Sequence, residues 1–93
     1  MPLRLDRKRL DAAGVAEHFE SLATTAQAIE IRFKDDETTH SDAAATELAE
    51  AARRLCAGEV LAVQIRFYQD DAWWCDTVIR RGDSYRLVRM RQG

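Results

Sequence analysis

The sequence contains one proline and four glycines, so it lacks the proline- or glycine-rich linker that often separates two domains. Its apolar stretches fall far short of the roughly 20 residues that a membrane-spanning helix needs. No apolar secretory segment follows the charged start "MPLRLDRKRL". With 46% hydrophobic and 32% charged residues, the 93-residue chain has the composition of a globular domain. We therefore expect a single cytoplasmic domain over residues 1–93, in which residues 1–5 can form a flexible end.

Cysteine and histidine are also scarce. Cys56 and Cys75 are too few for the disulfide framework of small secreted domains, and without clustered histidines they do not form a zinc site. His18 and His40 fall on different predicted elements, and neither has a carboxylate at the spacing of a catalytic pair. The sequence has no glycine-rich phosphate loop. It therefore predicts no disulfide, metal, cofactor or catalytic activity. Twelve arginines against two lysines are typical of a GC-rich bacterial genome.

Charge is spread unevenly along the chain, although the net charge is only −2. Residues 1–10 carry +3, residues 11–59 carry −7 and residues 60–93 carry +2. This asymmetry predicts a patchy surface, which favours a charged partner. The total is too close to neutral for a protein dedicated to binding duplex nucleic acid.

The first two thirds of the chain predict two helices with a strand between them. Apolar residues at helical spacing indicate a helix over Asp11–Ala26, with Asp11 as its N-cap. The alternation in Ile29–Phe33 is typical of a half-buried strand. A second helix is expected over Ser41–Ala57 and should end at Gly58.

The last third predicts three strands joined by two tight turns. Between the first two, a three-residue turn is favoured because a two-residue turn would place Asp76 on the apolar face, where an unpaired carboxylate is costly. In the next turn, Gly82 suits a hairpin that pairs Arg81 with Ser84. The expected pairs across the first hairpin are Phe67 with Trp73, Ile65 with Cys75, Val63 with Thr77, and Leu61 with Ile79. All eight are expected on the apolar face under the helices.

These elements define an α+β fold of order α-β-α-β-β-β. Both helices should pack on one face of a four-stranded mixed sheet that ends in an antiparallel three-stranded meander. The position of the first strand in the sheet is left open.

The outer side of this sheet is expected to carry residue types that dominate protein interfaces. The residues predicted to contact a partner are Arg66, Tyr68, Trp74, Asp76, Val78, Leu87, Arg89 and Arg91. A solvated face without a partner fits the same pattern. So does a platform for single-stranded nucleic acid, on which bases stack against Trp74, Tyr68 or Tyr85 while arginines contact phosphates.

The sequence therefore favours a small cytoplasmic accessory domain that uses its open sheet face for a protein partner or for self-association. The alternative is a weak single-stranded RNA or DNA binder. Neither function involves a membrane.

Overall fold

A computed structural model of the chain describes residues 5–34, 39–40 and 43–92. In these segments the strands and helices alternate irregularly along the chain. Their order is β1 (Leu5–Leu10), α1 (Ala12–Thr25), β2 (Gln27–Phe33), β3 (Thr39–His40), α2 (Ala45–Cys56), β4 (Ala62–Gln69), β5 (Ala72–Arg81) and β6 (Ser84–Gln92).

The strands form one sheet in the order β1-β6-β5-β4-β2-β3, and every neighbouring pair is antiparallel. The α+β class and the final meander are thus confirmed, but the four-stranded mixed sheet is wrong. The sheet has five long strands, and the two-residue β3 adds a short sixth strand at its edge next to β2. Because β3 reverses the chain before α2, the path from β2 to β4 has one more reversal than a βαβ unit, and β4 enters antiparallel to β2.

The strand β1, like the two-residue β3, was not predicted from the sequence. It pairs along its whole length with β6, from Leu5 opposite Met90 to Leu10 opposite Tyr85. It lies at the edge of the sheet and has the sequence "LDRKRL". Its four consecutive charged residues do not show the alternation of apolar and polar residues by which a strand is recognised. Charged side chains are a common way to protect an edge strand from pairing with other chains. Residues 1–5 were expected to be flexible. Of these, residues 1–4 lie outside the described segments, and Leu5 belongs to β1.

Both helices pack on one side of the sheet, here called the covered face. The Asp11 side chain caps α1 as predicted, since it accepts a hydrogen bond from the Gly14 N–H at 2.7 Å. The helix α2 is shorter than predicted, and Ser41 lies outside the described residues. Gly58 follows α2 with φ +78°, a conformation that favours glycine. The buried helix residues are Val15, Phe19, Leu22, Leu48, Ala51, Ala52 and Leu55, and the buried residues of β2 and β4 beneath them are Ile29, Ile31, Phe33, Val63, Ile65 and Phe67.

The hairpin between β4 and β5 has a two-residue turn, so the predicted three-residue turn is wrong. Gln69 pairs with Ala72, and Asp70 and Asp71 have φ values of 53° and 60°. Positive φ at both central residues is the type I′ conformation that suits a two-residue hairpin. The observed pairs are Phe67 with Trp74, Ile65 with Asp76, and Val63 with Val78.

The hairpin between β5 and β6 has the predicted register. Arg81 pairs with Ser84, and Gly82 has φ +61° in the turn. The predicted turn between β4 and β5 was one residue too long, and the predicted register between β5 and β6 was correct. The prediction therefore assigned the side chains of both strands to the wrong side of the sheet. Every side chain on β5 and β6 therefore faces the side opposite to the predicted one.

No helix within the described segments is long and apolar enough to cross a membrane. Both cysteines are free thiols: Cys56 lies at the end of α2 and Cys75 lies in β5.

Candidate binding surface

The structure divides the predicted partner-binding residues between the two sides of the sheet. Arg66 and Tyr68 lie on the side opposite α1 and α2, as expected. The others follow the reversal of β5 and β6, so their predicted outward placement is wrong. The residues that belong to the covered face are Trp74, Asp76, Val78, Leu87 and Arg89, with Tyr85 beside them and Arg91 at the exposed end of the same row.

Asp76 forms the most buried polar group of the described protein, with 0% of its surface exposed. Arg89 on the neighbouring strand donates from Nε to Oδ1 and from a terminal nitrogen to Oδ2, each at 2.8 Å. His18 on α1 donates from Nε2 to Oδ2 at 2.7 Å. We refer to Asp76, Arg89 and His18 as the buried ion network. It connects α1 to the middle of the sheet.

The pKa of Asp76 reflects two opposed effects. Burial raises it, because a low-dielectric environment disfavours the charged carboxylate. The hydrogen bonds from Arg89 and then from His18 outweigh this effect, and the pKa lies below its ordinary value of 3.8. Asp76 is therefore an ionised carboxylate with both oxygens occupied. The network stabilises a tertiary contact and holds its charge inside the protein.

Two sequence signals pointed to this network. Asp76 lies opposite Arg89 whichever turn joins β4 and β5, because that pairing depends only on the second hairpin. His18 lies three residues after Val15 and four before Leu22, on the edge of the buried stripe of α1. Together they could have shown that a carboxylate on the core face would have partners.

The opposite side of the sheet, here called the open face, is exposed to solvent. Its members follow from the strand registers and from alternation along each strand. In five rows across the sheet they are Arg81 and Ser84; Ala62, Ile79, Arg86 and Arg9; Arg32, Gln64, Thr77, Val88 and Arg7; Glu30, Arg66, Cys75 and Met90; and Gln27, Tyr68, Trp73 and Gln92.

Positive charge dominates the open face. Among the strand residues that the structure describes, Glu30 is the acid on this side, and Asp76 is not there to offset the cations. The arginines of the face are Arg7, Arg9, Arg32, Arg66, Arg86 and, at the end of β5, Arg81. The acids of the helices, including Glu17, Glu20, Glu47 and Glu50, lie on the other side of the molecule. The charge asymmetry of the sequence thus becomes a difference between two sides.

An aromatic corner lies at the end of the open face near the first hairpin. The rings of Trp73 and Tyr68 meet edge to face, with centroids 5.4 Å apart. The Arg66 guanidinium lies over the Trp73 ring at 4.9 Å, a cation–π arrangement. Trp73 is 38% exposed. By contrast, the Trp74 indole packs against the core and donates to the Gln69 carbonyl at 3.0 Å.

The aliphatic middle of the open face also differs from prediction. Cys75 was expected under the helices, but it lies on the open face between Arg66 and Met90. It is nevertheless only 6% exposed, and burial raises the pKa of its thiol. Met90 is 37% exposed. The face therefore combines an apolar centre with a basic surround.

Within the described segments, histidine, cysteine and acidic side chains form no group of three or more that could hold a metal ion. No family model matches the chain, and searches of curated proteins and of solved structures found no significant match.

Proposed function

We propose that this chain is a small, non-catalytic binding domain whose open face docks on a protein partner. The partner presents acidic side chains around an apolar contact. The free thiols Cys56 and Cys75 support a reducing compartment such as the cytoplasm as its place of action.

The observation that carries this proposal is the exposed position of Trp73 on the sheet face that neither of the two described helices covers. Tryptophan and arginine are the residue types most often found at the energetic centre of interfaces. Trp73 has an arginine stacked on one ring face and a tyrosine at its edge, so its ring is held in place before any partner arrives. A side chain with few remaining rotamers loses little entropy on binding.

The arginines define the chemistry of the partner. A guanidinium presents a planar fork of donors that matches a carboxylate. Because Arg7 and Arg9 flank the face on one side and Arg32 on the other, an acidic rim on the partner would meet positive charge along both of these edges. Complementary charge raises the rate of association and excludes basic partners.

Single-stranded nucleic acid is the second candidate. The burial of Asp76 favours it, since the arginines of the open face then have little negative charge among them. Two features rank it below a protein. Asp70 and Asp71 adjoin the aromatic corner, where they would repel a phosphate backbone. The centre of the face, with Val88 and Met90, offers aliphatic groups on which bases do not stack.

The test is capture of the partner by wild-type protein and by Trp73→Ala from a lysate of the native cell. We expect Trp73→Ala to weaken partner binding by about 2 kcal/mol or more, which is about 30-fold in Kd. Leu61→Ala is the matched control, because Leu61 is 52% exposed but lies outside the open face. Each variant is first shown to be folded by its NMR spectrum.

Equal capture by wild type and Trp73→Ala would contradict the proposal. Nuclease treatment distinguishes the second candidate: capture that disappears with nuclease, together with oligonucleotide binding that falls steeply with salt, indicates nucleic acid. Light scattering over a range of protein concentrations shows whether the partner is a second copy of the chain.

A further inference from the structure

A shallow hollow lies on the open face beside the aromatic corner. Its volume is about 320 Å³, at the small end of the range for ligand sites. It spans four strands, and its lining consists of Glu30, Arg32, Gln64, Arg66, Cys75 and Gln92. A space of this size has room for the end of a partner side chain together with water.

The lining is polar around a closed floor. Cys75 forms the floor, since it is nearly inaccessible while its neighbours on β4 are exposed. Arg32 and Arg66 stand on β2 and β4 beside it. Burial raises the pKa of the Cys75 thiol, and both guanidinium groups act against that rise, which is consistent with their lying close to the sulfur.

The two arginines differ in how firmly they are held. Arg66 stacks on the Trp73 ring, which fixes the plane of its guanidinium. Arg32 meets Glu30 at 3.7 Å, and 59% of the Arg32 side chain is exposed. An exposed ion pair of this length contributes little. Arg32 can therefore turn to another anion at small cost.

We propose that this hollow receives the carboxylate of a glutamate or aspartate side chain from the partner, an inference that rests on the proposed function. The carboxylate lies between Arg66 and Arg32, and the amides of Gln64 and Gln92 complete its hydrogen bonds. A carboxylate carries one negative charge, whereas a phosphate monoester carries up to two. The hollow contains two guanidinium groups and the Glu30 carboxylate, a net charge of +1, which one carboxylate neutralises and a doubly charged phosphate exceeds.

The experiment is an NMR titration of the folded chain with N-acetyl-glutamate N-methylamide. The neutral N-acetyl-glutamine N-methylamide serves as the isosteric control ligand. We expect saturable shifts of the Gln64 and Gln92 side-chain amide signals with the glutamate compound and none with the glutamine compound. Inorganic phosphate at equal ionic strength should bind more weakly than the glutamate compound.

Arg66→Gln should weaken binding of the glutamate compound about tenfold or more, the size expected for a lost charge-assisted pair. The matched control is Arg81→Gln, an exposed arginine six residues further along β5 than Cys75 and about 20 Å away. It should bind as the wild type does.

Three results would overturn the inference: equal shifts with the glutamine compound, tighter binding of phosphate, or equal losses in Arg66→Gln and Arg81→Gln. The outcome is independent of the capture experiment. A flat titration alongside loss of the partner in Trp73→Ala removes the carboxylate site and leaves the proposed function standing. A saturable titration together with equal capture by wild type and Trp73→Ala would support the carboxylate site and contradict the proposed function.

Discussion

The two faces of the sheet carry charge in opposite ways. On the covered face, the Asp76 carboxylate is fully buried and both oxygens are bonded at 2.7–2.8 Å. On the open face, Arg32 and Glu30 are 3.7 Å apart, with 59% and 32% of their side chains exposed. A charge is accommodated inside a protein when its partners are complete, whereas a loosely paired surface charge remains available to a ligand. The same sheet thus presents a closed polar contact on one side, between β5, β6 and α1, and an open one on the other, within β2.

The largest expected effect comes from opening the buried ion network. Arg89→Ala leaves the Asp76 carboxylate buried without its main partner, and we expect a loss of about 3–5 kcal/mol in the free energy of unfolding. Urea denaturation measures it. The control, Arg86→Ala on the open face, should change stability by less than about 0.5 kcal/mol. Similar losses in the two variants would mean that the faces do not differ as described.

The adjacent tryptophans sharpen the comparison further. Trp74→Ala should cost about 2–3 kcal/mol, somewhat less than a fully buried tryptophan because its edge is accessible. Trp73→Ala should cost less than about 1 kcal/mol, since its ring lies on the open face. Thermal and urea unfolding of both variants give the answer. A larger loss of stability in Trp73→Ala than in Trp74→Ala would instead support the three-residue turn and the register derived from it.

The pH dependence of stability tests the charge state of Asp76. Its folded pKa lies below 3.8, so its contribution is present above that value and is lost as the pH falls through the folded pKa. The effect should be smaller than that of Arg89→Ala, because every side chain stays in place. We expect the stability difference between wild type and Asp76→Asn to shrink between pH 5 and pH 2. A difference that stays constant over this range would show that Asp76 is not ionised in the fold.

The smallest expected effect concerns the turn that sets the register. Asp71 has φ +60°, which glycine adopts more easily than aspartate. Asp71→Gly should therefore stabilise the fold by about 0.5–1 kcal/mol. Asp83, in the turn of the other hairpin, does not have positive φ, and Asp83→Gly should give no gain. If both substitutions destabilise equally, the type I′ turn is not formed.

Local signals were enough to predict the two helices and the strand β2. The helical stripe of α1, its Asp11 cap and the stop at Gly58 depend on neighbours in sequence, so they can be recognised without the fold. The second hairpin was predicted for the same reason, because Gly82 suits its turn. These features also defined the α+β class.

The register of β5 could not be obtained in this way. Asp70–Asp71 is not the usual asparagine–glycine signal of a two-residue turn. The choice of turn then depended on the cost of burying Asp76, and that cost assumed a carboxylate without partners. In the structure the partners come from α1 and β6, which are far from Asp76 in sequence. The six predicted binding residues on β5 and β6, among them Trp74, were misplaced by this one assumption about solvation.

Part of the candidate surface was placed correctly, because the predicted orientation of β4 was right. Arg66 and Tyr68 were predicted on the open face and lie there. Their actual neighbour is Trp73 and not Trp74. The contribution of Arg32 was missed, because β2 could not be placed beside β4 until the sheet order was known.

The pairing of β1 with β6 has a consequence for synthesis of the chain on the ribosome. The meander β4-β5-β6 joins strands that follow one another directly, so each hairpin can form as soon as it emerges. The strand β1 is made first, but its partner β6 begins roughly 75 residues later, which at about 5–20 residues per second is a delay of about 4–15 s. During that interval β1 has no place in the sheet. Its run of charged side chains keeps it hydrated, and the sheet acquires its first-made strand last.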